Sequence, residues 1–248
     1  MKKLLLSLLF LPVLSFASSD LELDHADVDL SDKASMQRGL KYVANYCLSC
    51  HSMAYSRYNR VGLDLGISDE LMQTHIINTR DKAGDPSKVG ALMKASMSQR
   101  YAKEAFGTVP PDLSLTARSR GPDWVYSYLR GFYQDDSRPF GVNNTVFPDV
   151  GMPHVLWRMQ GVPTKKASPE GHDGEEGHGK MELVPGKGTM SAEEYDQVVL
   201  DIVNFMTYVS EPIKMKRQQI GWWVMLLLFA FTFFAYLLKK EYWKDVEH

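Results

Sequence analysis

Both cysteines of the chain fall in one run, Cys47-Leu48-Ser49-Cys50-His51. Two thiols separated by two residues can each bond one vinyl group of a haem, and a histidine directly after the second thiol is then delivered to the iron. Three other chemistries use such residues: a structural zinc site, a dithiol redox pair, or two cysteines that meet by chance. A zinc site needs four ligands of Cys or His type, and with no further cysteine the rest would come from scattered histidines. A thioredoxin-like pair opens a helix after a strand, whereas this pair follows a helical pattern. The expectation is one covalently attached haem c, with Cys47 and Cys50 as tethers and His51 as an axial ligand.

An electron carrier keeps the second axial position filled, and a methionine there favours ferrous iron and raises the potential. Met53 is too near His51 in sequence to reach the opposite face. Met152, in Gly151-Met152-Pro153-His154, and Met190, in Gly188-Thr189-Met190, both follow turn residues. Spacing does not rank them firmly, although the helix cap expected at Ser191 would fix the loop of Met190. Pro110-Pro111 forms a rigid strip without backbone donors that could line a haem face. Arg118, with Arg120 close by, could pair its planar fork with a propionate or simply lie in solvent. His75, His172 and His178 read as structural or exposed residues rather than metal ligands.

These residues need a scaffold and an address. Met1–Ala17 has the form of a signal peptide: Lys2 and Lys3, an apolar run from Leu4 to Leu14, and a small-residue cleavage site at Ser15-Phe16-Ala17. Ile220–Leu238 is free of charge, long enough to cross a bilayer, and flanked by basic residues and interfacial aromatics such as Trp222, Trp223 and Tyr236. The expected organisation is residues 1–17 as leader, 18–213 as a periplasmic haem domain, and 214–248 as an anchor (220–238) with a short cytoplasmic tail. Basic residues balance across the span, so the leader sets the orientation. The whole chain carries a formal charge of −2, but without the leader lysines and the net basic anchor the external domain is acidic, at −7. That favours a basic soluble partner and argues against nucleic acid.

Helical spacing predicts an α-rich domain. An acidic arm, Asp20 to Asp32, is expected to be extended and solvated. A helix from about Asp32 carries Met36, Leu40, Val43 and Cys47 along one face, with Gly39 placed to admit a close neighbour. Further helices are expected at 68–78, at 88–106, from Pro122 onward, and from Ser191 to Glu211, the last opened by the capping box Ser191/Glu194. Residues 160–188 read as a long exposed loop. The last helix of the domain should pack on the helix that precedes the haem motif.

The leader, Cys47 to Met53, Pro110-Pro111-Asp112-Leu113-Ser114, Ala117-Arg118, Gly188-Thr189-Met190-Ser191, Glu211-Pro212 and the tail anchor together resemble bacterial cytochrome c1. The resemblance implies a mostly α fold, a c-type cytochrome domain with long loop insertions plus one C-terminal transmembrane helix. It implies Met190 rather than Met152 as the sixth ligand, Arg118 at a propionate, and Pro110 and Pro111 beside the haem. It further implies a bacterial inner-membrane subunit of quinol:cytochrome c oxidoreductase. Its expected partners are cytochrome b, the Rieske iron-sulfur protein as donor and a soluble cytochrome c as acceptor, and it would catalyse no reaction alone. The alternative is an anchored monohaem cytochrome serving another oxidase or reductase. A haem enzyme such as a peroxidase is disfavoured because no distal acid-base pair is evident. Two departures from the family pattern are residues 160–188, which do not align, and the absence of an extra cysteine pair.

Overall fold

The computed structural model describes residues 21–81, 83–166 and 182–245. The leader at 1–17 and the histidines His172 and His178 lie outside the described residues.

Helix α1, Lys33–Tyr42, is capped by Asp32, whose carboxylate accepts the Ser35 amide at 2.9 Å. It runs on as a π-helical segment, Val43–Cys47, so that the turn holding the haem motif is one residue wider than an α turn. Such insertions are frequent at functional sites. Strand β1 (Met53–Arg57) and helix α2 (Tyr58–Leu65) follow, then α3 (Asp69–Leu71), capped by Ser68 and continued by a π segment to Ile76. Strand β2 (Leu92–Met93) pairs antiparallel with β1. Helices α4 (Gln99–Phe106), α5 (Thr116–Ser119) and α6 (Pro122–Arg130) lead to the hairpin of β3 (Phe132–Gln134) and β4 (Val142–Asn144). The short α7 (Trp157–Gln160) precedes β5 (Thr164–Lys165), which pairs with β6 (Leu183–Val184) at the base of the long loop. The chain closes with α8 (Ala192–Ser210) and the solitary α9 (Lys214–Tyr242).

The core is the crossing of α1 and α8. A side chain at Gly39 would run into the backbone of Asp201 and lie 2.8 Å from Phe205 Cβ, so glycine is what lets the helices touch. Leu40, Val43, Val199, Ile202 and Phe205 are buried around that point. Asp201, only 2% exposed, is satisfied by Arg38 (2.6 and 2.8 Å), Ser35 Oγ (2.7 Å) and Gln197 Nε2 (3.0 Å). A buried carboxylate is tolerated only with such partners. Helices α5, α6 and α7 also pack on α8, which makes it the spine of the domain.

Two expectations fail. Residues 88–106 are helical only from Gln99, because the stretch before it is spent on pairing. Met93 faces Met53 across the β1–β2 ladder, and the amides of Ala95, Ser96 and Met97 donate to Ser52 Oγ, Leu48 O and Ser49 O. The acidic arm is extended but not simply solvated. Its described part, from Leu21, lies across α6 and α8: the Asp24 amide donates to Ser127 Oγ (2.7 Å), that of Ala26 to Asp123 Oδ1 (2.8 Å) and that of Asp29 to Asn204 Oδ1 (3.1 Å). Ala26 is buried in the core. Helix α9 is long and apolar enough to cross a membrane, and none of its hydrophobic window is covered by the rest of the chain.

Candidate functional site

Cys47 ends the π segment of α1, half-buried, and the Cys50 and His51 amides both donate back to Cys47 O at 3.0 and 2.8 Å. That tight turn presents the two thiols and the imidazole from one short stretch. Neither cysteine forms a disulfide. Burial, with a smaller contribution from Cys50, pushes the Cys47 thiol up to about 12.

His51 is buried, and its Nδ1 lies 2.8 Å from Pro111 O. A carbonyl can only accept, so Nδ1 carries the proton and Nε2 keeps its lone pair for a metal. Burial holds the imidazole pKa below its ordinary value, opposed by the Pro111 bond and the Asp112 charge, which keeps the ring in the neutral, ligating form. The 110–114 strip is itself pinned to the motif. The Leu113 amide donates to Ser52 O (2.7 Å), that of Ala54 to Asp112 Oδ2 (2.9 Å) and that of Tyr55 to Ser114 Oγ (3.1 Å). The tie to the histidine runs through Pro111; Pro110 contributes no hydrogen bond to it among the described residues.

Arg118 lies on α5, which packs against α8, with its side chain exposed and no ion pair among the described residues. Arg120 is engaged elsewhere, its guanidinium 5.2 Å from the centre of the Trp124 ring. Neither guanidinium has an ion pair among the described residues, and Arg118 makes no ring contact there.

The two candidate methionines differ in their surroundings. The Met152 sulfur accepts the Tyr128 hydroxyl at 3.4 Å, within a small cluster of Phe132, Val142 and Val150. Met190 is half-buried against the main core and its sulfur takes no hydrogen bond among the described residues. Its loop is seated on α7: the Thr189 amide donates to Arg158 O (2.9 Å) and the Met190 amide to Met159 O (3.2 Å). Side chains at Gly161, Gly186 or Gly188 would collide with the opposing backbone, so three glycines permit this flat approach. The Ser191/Glu194 capping box then starts α8 directly after Met190. Beneath α7, His154 stacks on Phe132 at 4.8 Å, and burial depresses its pKa to about 4. His75 is exposed.

A donor set of two cysteines outside any disulfide, an imidazole oriented by a carbonyl and an unengaged thioether has the chemistry that a covalently tethered haem requires. What sequence reasoning missed is the seat of Met190: Gly161, Gly186, His154 and Arg130. Only the glycines carry a sequence signal, and it is weak, since their partners lie about 25 residues away in the chain.

The sequence profile of the cytochrome C1 family matches residues 26–164 and 187–246. The chain is 47% identical to cytochrome c1 of Allochromatium vinosum, over 99% of this chain and 100% of that protein. It is 44% identical to a protein of Nitrosomonas europaea named ammonia monooxygenase gamma subunit, over 99% and 98% of the two chains. It is 27% identical to the cytochrome b/c1 protein of Bradyrhizobium diazoefficiens, over 86% of this chain and 34% of that protein.

Proposed function

The chain belongs to the cytochrome c1 family, whose members carry one covalently bound haem c and serve as the electron-transfer haem subunit of the cytochrome bc1 complex. From that premise we propose that it accepts electrons from the Rieske iron-sulfur protein and passes them to a soluble c-type cytochrome. The bound haem supplies a one-electron couple; the protein breaks no bond. Cys47 and Cys50 would tether the group, His51 Nε2 and the Met190 thioether would ligate its iron, and Arg118 would neutralise a propionate. Two protein ligands held in both oxidation states would leave little to move when the electron does. The observation that carries the reading is the His51 Nδ1 to Pro111 O bond, which leaves the lone pair on the other nitrogen available to a metal.

In this reading residues 18–213 form the periplasmic haem domain, α9 is the single membrane anchor, and the tail after Leu238 is cytoplasmic. Similarity to a protein named cytochrome b/c1 supports cytochrome b as the membrane partner. The relative named ammonia monooxygenase gamma subunit favours a second reading, an anchored cytochrome serving another oxidoreductase. Copurification of the tagged full chain separates the two: cytochrome b and a Rieske protein are expected, and their absence beside another oxidoreductase would select the second. The ligand assignment is tested by Met190→Leu. It should lower the reduction potential by on the order of 100 mV, about two decades at 59 mV per decade for one electron, and open the ferrous iron to carbon monoxide. A larger effect from Met152→Leu would reverse the assignment.

A further inference from the structure

Arg130, the last residue of α6, is held from three sides. Its Nε and Nη2 form a fork on Asp196 (2.6 and 3.0 Å), its Nη1 reaches Asp24 Oδ2 (2.6 Å), and its guanidinium lies 4.8 Å from the centre of the Tyr126 ring. All three charged side chains are only about a third exposed or less, at 28%, 28% and 34% for Arg130, Asp24 and Asp196. Charge-assisted bonds in such surroundings are stronger than surface pairs.

The elements joined in this way are those that flank Met190. Asp196 lies in the second turn of α8, six residues after Met190. The carbonyl of Arg130 accepts Gln160 Nε2 at 3.0 Å, and Gln160 ends α7, the helix on which the Met190 loop rests. One residue earlier, Leu129 O accepts the Tyr195 hydroxyl at 2.8 Å. Arg130, Asp24, Asp196, Gln160 and Met190 line one cavity of about 730 Å³, which includes neither cysteine nor His51. The network therefore backs the methionine side of the site alone.

We propose that Arg130 is a positioning residue for the sixth-ligand methionine, and that the N-terminal arm, through Asp24, is part of the clamp that holds that ligand in place. This rests on the assignment of Met190 as ligand. With the arm latched, the start of α8 is fixed to the Arg130 guanidinium and the end of α7 to the carbonyl of the same residue, and the Met190 loop between them has little freedom to leave the iron.

The test uses the full-length, haem-loaded protein in detergent-solubilised membranes, reading the reduction potential and carbon monoxide binding to the ferrous form. Arg130→Met should raise carbon monoxide affinity about tenfold, the factor a partly buried charge-assisted pair is worth, and lower the potential. Arg130→Lys keeps the charge but not the fork and should fall between that variant and wild type. Asp24→Asn, which leaves the arm intact, should shift both readouts in the same direction by a smaller factor. Arg38→Met removes a similar pair from the same helix at the Gly39 crossing, and should lower the melting temperature with both readouts at their wild-type values. The proposal is overturned if Arg130→Met and Asp24→Asn behave like Arg38→Met. Unchanged readouts in Met190→Leu would overturn the ligand assignment itself, and the clamp with it.

Discussion

The two sides of the haem site are built on different plans. The histidine side comes from one contiguous run, 47–55, braced by residues 110–114 through four hydrogen bonds and by residues 95–97 through three more. The proposed methionine side has a single donor, Met190, on a loop that rests on α7, with Arg130 tying in α8 and the N-terminal arm. A covalently tethered ligand needs little help to stay in place. A thioether, a weak and neutral ligand, must be held by the surrounding packing, and on that side the contacts come from several separate elements, α6, α7, α8 and the N-terminal arm.

The largest effect that can break this contrast comes from the tethers. Cys47→Ser with Cys50→Ser should abolish covalent haem, read as loss of haem staining after denaturing electrophoresis; retention of the stain would remove the histidine side as the attachment site. Acid should next distinguish the two sides. The folded-state pKa of His154 is about 4 against an ordinary 6.5, so the unfolded chain binds the extra proton between those values. Its contribution is fully present above pH 6.5 and is lost as pH falls, by on the order of 3 kcal/mol near pH 4. His154→Phe, which preserves the stack on Phe132, should flatten urea stability between pH 6.5 and 4; an unaltered slope would assign the acid sensitivity to other groups.

A smaller effect separates ligand seating from folding. Gly188→Ala should cost about 1–3 kcal/mol, because its Cβ meets the α7 backbone, and should also lower the reduction potential. Gly39→Ala strikes the Asp201 backbone in the same way but lies at the α1–α8 crossing, so it should lower the melting temperature and leave the potential in place. Equal potentials in both variants would erase the distinction. The smallest effect is at the cap. Ser191→Ala removes one side of the Ser191/Glu194 box and should cost about 1 kcal/mol in urea unfolding.

Much of the scaffold was legible because it depends on neighbours in sequence. The Ser68 and Ser191 caps, Pro122 at the start of α6 and the apolar face of α1 express local rules, and each element begins where its cap residue stands. Gly39 was readable as a close approach because a helix-interior glycine has few other uses. Residues 88–98 misled because their composition suits a helix, whereas the chain there pairs with β1 and with the carbonyls of the haem motif. The arm misled because its acidic residues suggested solvation, while its backbone amides found acceptors on α6 and α8, about 100 and 175 residues away. Burial of those amides against side-chain oxygens outweighs the charge repulsion that composition suggested.

The sequence alone carried the expectations of a haem tether, a histidine ligand, a leader and an anchor, and the family resemblance, because each is written in contiguous residues with fixed spacing. It left Met152 and Met190 open on spacing, for a thioether signals nothing about its surroundings. Only the tertiary structure distinguished their settings, with the Tyr128 hydroxyl on the Met152 sulfur and a seated, unengaged Met190. The structure alone also brought Asp24, Arg130 and Asp196 together. Their separations of 66 and 106 residues carry no local pattern, and only the packing of α6 on α8 brings those charges within hydrogen-bond reach.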